Sequence, residues 1–532
     1  MPTWLVILIT VMVAIALNIG ILVGIGRGIA TLVQTAGSSR HDDYGPHARQ
    51  SNPQPSARPD SVSAAFDSYY TQQYTWTSCD QGDACTTIKA PSNWSDPSSE
   101  TIKLHLAVHY AEGDDSKGYL FINPGGPGAS GADWLKDFIE YTATDDLRED
   151  YDIIGFDPRG VADSAPISCG DDSQLLNRYF LADPITSDNL DSSRKLANTF
   201  ADSCREHSGT IIDHVDTQSV AHDLDLMRAL MGEDQLDYLG FSYGTYIGST
   251  YAAMFPKQTG RLVLDGAIDP QEDATTSIVK QAVGFENALA TYLADCIDND
   301  DSCPFTGMKT SDATTIIQSW LTRADTDPWP TSTSQTVNGI TMMYGIIMPL
   351  YSQDNWPYLT QAFQELKDTG KADTMLLLAD AYLGRNEDGI YTDNSMEANL
   401  AVNCLDDPPT SDMSKQTAIA KELKEKSPTF GRFMAYGNIG CEALQQDRSQ
   451  IKQLDYSAPG ASPILVVGTT GDPATPYQSA VNLAKLLQSG VLLTYKGEGH
   501  TAYEYTNSCV ADIVDDYLID GEVPSSDATC GR

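Results

Sequence analysis

From about residue 101 onward the chain is punctuated by short runs that are apolar along nearly their whole length, each closing in Gly, Pro or Asp. They read TIKLHLAVHY, GYLFINPGG, YDIIGFDPRG, LDYLGFSYG, RLVLDGA and, much later, PILVVGTTGDP and VLLTYKGEGH. Strands that are apolar throughout, rather than alternating, are buried on both faces. With helical segments between them they predict a mostly parallel central sheet of the α/β class. Functional groups then belong at the carboxyl ends of the strands. Between about 271 and 455 the strand-like runs thin out, and stretches such as TTSIVKQAVGFENALATYLADC, NWPYLTQAFQELKD and KQTAIAKELKEK take over. Because strand-like runs resume at PILVVG, this helical segment reads as a cap inserted late in the sheet.

The amino-terminal end has a different pattern. Residues 3 to 26 are uncharged and apolar up to Arg27, long enough to cross a bilayer as a helix. No positive charge precedes the run, so an uncleaved anchor competes with a cleaved signal segment. Arg27, Arg40 and Arg49 follow it, which by the positive-inside rule argues against export. Residues 36 to 60 are rich in Ser, Pro, Gly and charge without periodicity and read as a flexible linker. The expected division is therefore 1–35 anchor or signal, 36–60 linker, 61–270 first part of the core, 271–455 helical cap and 456–532 the rest of the core.

At 532 residues, more than one ordinary domain is expected, and a 41% hydrophobic, 20% charged composition fits a globular protein. The formal net charge of −40 disfavours nucleic acid as a partner and makes for a solvated acidic surface. Ten cysteines, an even number, suit disulfides in an oxidising compartment. Pairing of neighbours in order is expected: Cys79 with Cys85, Cys169 with Cys204, Cys296 with Cys303, Cys404 with Cys441, and Cys509 with Cys530. No CxxC pair or cysteine–histidine cluster suggests a metal site.

The candidate chemistry starts at Gly240-Phe241-Ser242-Tyr243-Gly244, a G-x-S-x-G sequence with a strand before it and a helix-compatible TYIGSTYAAMF after it. That context is a nucleophile elbow, in which a sharp strand-to-helix turn lifts a serine hydroxyl above the sheet edge. A serine hydroxyl needs a base, and in this arrangement acid and histidine follow the serine along the chain. Of eight histidines only His500 does so. Asp472 follows the penultimate strand and is the expected orienting acid. Asp265, which also ends a strand, is the rival and reads as a structural cap or turn residue. The Gly-rich loop Asn123-Pro124-Gly125-Gly126-Pro127-Gly128 offers bare amides for an oxyanion hole, with donors expected from Tyr243 and from Gly125 or Gly126. A phosphate-cradling loop is excluded, because no Gly-Lys-Ser/Thr follows.

With these residues in place the chain resembles the tripeptidyl aminopeptidase and proline iminopeptidase family of serine peptidases. The motifs are NPGGPGASG, FDPRGVADSAP, GFSYGTYIG, TQSVAHDLDLMRALMG, RLVLDGAIDP, GTTGDPATP and GEGH, over roughly residues 75 to 530. The resemblance implies an α/β-hydrolase fold with an inserted helical cap. It also implies cofactor-free hydrolysis of peptides or unfolded polypeptides near their free amino termini outside the cytoplasm; a monomer is expected, secreted or anchored to the outer face of the plasma membrane by the amino-terminal apolar segment. A carboxylate should then hold the substrate's ammonium. Asp406, in a C-x-D pattern within AVNCLDDP, is the candidate, with Asp407 and Glu442 behind it. Pro124 stands where many proline iminopeptidases have His, which favours the tripeptidyl branch. A carboxylesterase or lipase with the same triad, and a non-catalytic surface binding protein that retains the fold, are the competing readings.

Overall fold

The core of the computed structural model is one sheet of nine strands; residues 52–170, 172–407, 410–525 and 527–531 are described. The expected anchor, 1–35, and most of the linker lie outside the described residues. In chain order the strands are β1 Ala84–Pro91, β2 Thr101–His109, β3 Tyr119–Asn123, β4 Asp152–Phe156, β5 Leu236–Phe241 and β6 Thr259–Asp265. A two-residue pair, β7 Trp329–Pro330 and β8 Thr336–Val337, stands apart. Then come β9 Ile464–Gly471, β10 Gly490–Glu498 and β11 Thr529–Gly531. The sheet order is β1-β2-β4-β3-β5-β6-β9-β10-β11. The β1–β2 and β2–β4 pairs are antiparallel, and every later pair is parallel. Strands β3 and β4 are buried at every residue, which is why they read as unbroken apolar runs.

Helices begin where the sequence supplies a side-chain acceptor for the first free amides. Ser130 caps Gly131–Tyr141, Asp216 caps Thr217–Leu230 and Asp273 caps Ala274–Asn299. Between β6 and β9 the chain is almost entirely helical, from Ala274–Asn299 through Asn438–Leu444. Most of this segment shares a hydrophobic cluster of its own, containing Phe285, Leu289, Tyr292, Ile317, Trp329, Ile346, Phe363, Met375 and Phe430. Its helix Ser395–Asp406, by contrast, buries Ala401, Val402 and Leu405 in the cluster under the main sheet.

Helices Ser173–Phe180 and Leu190–Ser208 lie between β4 and β5. They join the inserted helices through the Phe180–Tyr391 ring contact and the bond from Arg205 Nε to the Leu444 carbonyl at 2.6 Å. The described end of the expected linker is also tied down: the Ser56 amide donates to the Ala229 carbonyl at 2.8 Å, and Pro59 is buried. All ten cysteines form disulfides: Cys79–Cys85, Cys169–Cys204, Cys296–Cys303, Cys404–Cys441 and Cys509–Cys530. Five such bonds fit an oxidising environment. Among the described residues no helix is long and apolar enough to cross a membrane, and no group of three or more His, Cys, Asp or Glu could hold a metal ion.

Candidate active site

At the carboxyl end of β5 the chain turns directly into the helix Tyr243–Met254, and Ser242 at the turn has φ 54° and ψ −121°. A non-glycine residue held there stores strain, which only surrounding contacts can maintain. The Ser242 amide donates to the Asp265 carbonyl at 2.9 Å, and the Ser242 carbonyl accepts from the amide and hydroxyl of Thr245. Gly240 is required by close approach: a Cβ there would lie 2.6 Å from the Gly244 carbonyl oxygen and 2.5 Å from the Tyr238 ring.

Asp472 follows β9 and His500 follows β10, so both arrive at the same sheet edge as Ser242. His500 Nδ1 lies 2.8 and 3.0 Å from the two Asp472 oxygens, and both residues are 4% exposed. A carboxylate on Nδ1 fixes the tautomer that leaves Nε2 as the basic nitrogen. Nε2 is buried and has no hydrogen-bond partner among the described residues, so its bond to the Ser242 hydroxyl is not formed here. The ring nevertheless lies against the elbow's neighbour: a Cβ on Gly266 would lie 3.1 Å from His500 Cε1. The imidazole is further held edge-on to Tyr351, its ring centroids 5.4 Å apart, and the His500 amide donates to the Tyr351 carbonyl at 2.7 Å.

The Gly-rich loop comes up against the same turn. A Cβ on Gly125 would meet the Ser242 Cβ at 2.9 Å and the Tyr243 amide nitrogen at 3.0 Å. Of the two loop amides expected to face an oxyanion, that of Gly125 is already donated to Asn123 Oδ1 at 3.0 Å. Among the described residues, no turn, loop or cap carbonyl accepts the amides of Gly126 and Tyr243.

The alpha/beta hydrolase fold profile matches residues 119–334, and that of the TAP-like proteins matches residues 427–530. Serine protease Hip1 of Mycobacterium tuberculosis is 36% identical over 86% of this chain and 91% of that protein. The chain belongs to this family of α/β-hydrolase serine peptidases. Other proteins it resembles are carboxylesterase B of Mycobacterium tuberculosis, 32% identical over 86% of this chain and 90% of that one, and the tripeptidyl aminopeptidase of Streptomyces lividans, 29% identical over 84% and 83%. Among solved structures, esterase E22 is 11% identical with a TM-score of 0.37, covering 82% of this chain and 99% of that one.

As an α/β-hydrolase serine peptidase the chain is a serine hydrolase, and the electrostatics of the site suit that chemistry. Burial favours the neutral ring of His500, but the adjoining Asp472 carboxylate, with that of Asp265, outweighs it and holds the imidazole above its usual pKa. The sequence reading missed Thr475. Its amide and hydroxyl donate to Asp472 at 2.8 and 3.0 Å, and its hydroxyl lies 3.3 Å from His500 Nδ1. Only its place three residues after the acid could have suggested it.

The candidate ammonium-binding carboxylates lie elsewhere. Asp406, half-buried at the end of the helix Ser395–Asp406, accepts from the amide and hydroxyl of Thr217 at 2.9 and 2.6 Å. The same hydroxyl is bonded to the Tyr243 phenol, which links Asp406 to the residue after Ser242. Burial pushes Asp406 up to about 8. Asp407 is exposed, and Glu442 accepts from Gln416 Nε2 at 3.0 Å.

Proposed function

We propose that the protein is an exported serine exopeptidase that releases short peptides, tripeptides foremost, from free amino termini. What supports the serine mechanism most is the Asp472–His500 pair, whose free Nε2 lies at the sheet edge where Ser242 is held in a strained turn, and the exopeptidase reading is supported by the similarity to the Streptomyces tripeptidyl aminopeptidase. His500 takes the proton of Ser242 as Oγ attacks the scissile carbonyl, and Asp472 stabilises the imidazolium. The amides of Tyr243 and Gly126 receive the oxyanion. His500 then protonates the leaving amine, and water repeats the path to free the acyl peptide. The inserted helices restrict entry to short or unfolded amino-terminal segments, and exposed Asp407, rather than Asp406 with its two oxygens taken by Thr217, is the carboxylate for the substrate's ammonium.

Incubation with a peptide library, blocked and unblocked at the amino terminus, tests the reading by product mass. Tripeptides from unblocked peptides alone are expected; equal cleavage of blocked peptides, or internal cuts, would contradict exopeptidase action. A carboxylesterase is the second reading, favoured by the relative of that name at 32% identity. Turnover of simple acyl esters with none of tripeptidyl anilides would select it.

A further inference from the structure

Asp265 ends β6 and is fully buried, and the triad has no use for it. Its carbonyl accepts the Ser242 amide at 2.9 Å. Its carboxylate Oδ2 accepts the amides of Ala502 and Tyr503, at 2.8 and 2.7 Å, on the loop that carries His500. One residue therefore ties the elbow turn to the histidine loop, two segments that meet only through tertiary structure. A buried charge is costly unless it is paired and hydrogen-bonded. Here Oδ1 has no partner among the described residues.

We infer that Asp265 is a positioning residue for the reaction: its main chain holds Ser242, its side chain holds the loop of His500, and its charge acts on the imidazole alongside that of Asp472. This rests on His500 being the base proposed above. Asp265 is not a spare triad acid, because His500 Nδ1 is directed at Asp472. The groups that face His500 are few. Asp472 and Thr475 come from the turn after β9, Asp265 from the end of β6, and Tyr351 from the inserted helices. Nearby on its own loop, the Tyr503 phenol is committed to Asp515 at 2.9 Å. Burial pushes Asp265 up to about 6, against the two amide bonds that lower it, so near neutral pH it is ionised and favours the imidazolium.

The test is the pH dependence of fluorophosphonate labelling of the full chain, which requires neutral His500 but is indifferent to the natural substrate. Asp265→Asn retains an acceptor oxygen and loses the charge. Its acid limb should move to lower pH by about half a unit or more, with the plateau rate within roughly tenfold of the parent. Asp265→Ala also releases the two amides, and its plateau should fall by about tenfold or more relative to Asp265→Asn. Acid limbs that superimpose on the parent in both variants would overturn the inference. Should Asp265→Asn not fold, the ¹⁵N-tyrosine-labelled parent decides: the Tyr503 amide should titrate with His500, and a flat response would overturn it. Failure of the underlying reading looks different, because Ser242→Ala would then still label.

Discussion

Glycine at position 125 is demanded from two sides at once. Its φ is 97°, and a Cβ would lie 2.5 Å from the Phe241 carbonyl oxygen and 2.9 Å from the Ser242 Cβ. Gly125→Ala must therefore displace either the loop or the elbow. A misplacement of that order typically costs about 100-fold in rate. The turnover of Gly125→Ala is expected to fall by that amount, while a thermal melt shows the chain still folded; parental turnover would mean the loop plays no part. Residues of this kind were legible in the sequence because their motifs are local: G-x-S-x-G brings its own strand and helix, and GEGH closes a strand. Thr475 and Tyr351 were not, since a threonine in a turn or a tyrosine among helices acquires its role only from a distant partner. Asp265 was visible as a strand end and read as structural; its amide partners, Ala502 and Tyr503, lie in a loop no periodicity connects to it.

At the scale of elements, the DPRG turn after β4 fastens the sheet to its neighbours. Arg159 is fully buried and pairs with Asp223 through Nε and Nη2, both at 2.7 Å, while its remaining donors reach the carbonyls of Pro91, Ser92 and His214. The Trp94 indole completes Asp223 at 2.9 Å. The turn is thus fastened to β1 and to the helix Thr217–Leu230, which precedes β5 and its elbow. Removing one partner strands a buried charge and costs about 3–5 kcal/mol. Asp223→Ala should lose stability of that order in urea unfolding; a loss below about 1 kcal/mol would contradict the account. The strands of the sheet could be read from their unbroken apolar runs. The helix Leu190–Ser208 could not: LDSSRKLANTFADSCREHS buries only Ala197, Phe200, Ala201 and Cys204, too sparse a face to separate from a polar loop.

Across the whole molecule, several carboxyls are buried and sit above their ordinary range. Burial pushes Asp265, Asp380 and Asp515 up to about 6, Asp157 and Glu397 to about 7, and Asp406 to about 8. Between roughly pH 4 and 8 the folded chain therefore holds more protons than the unfolded one, and stability falls as pH rises. His500 acts in the same sense: its folded pKa is raised, so its contribution is present below the unfolded value and lost as pH climbs through the folded one. His222, which burial lowers to about 3, works the other way below its unfolded value of roughly 6.5. The net charge of −40 adds self-repulsion that protonation relieves. The melting temperature should accordingly be higher at about pH 6 than at about pH 8.5; the opposite order would mean that these carboxyls are solvated. The proposed function rests on the same long-range assembly, since Ser242, Asp472 and His500 come from three separate strand ends. Fluorophosphonate labelling of the parent chain, with the adduct located by peptide mass, tests this most directly. One adduct on Ser242 is expected, lost in Ser242→Ala and His500→Ala; an adduct on another residue, or undiminished labelling of either variant, would contradict it.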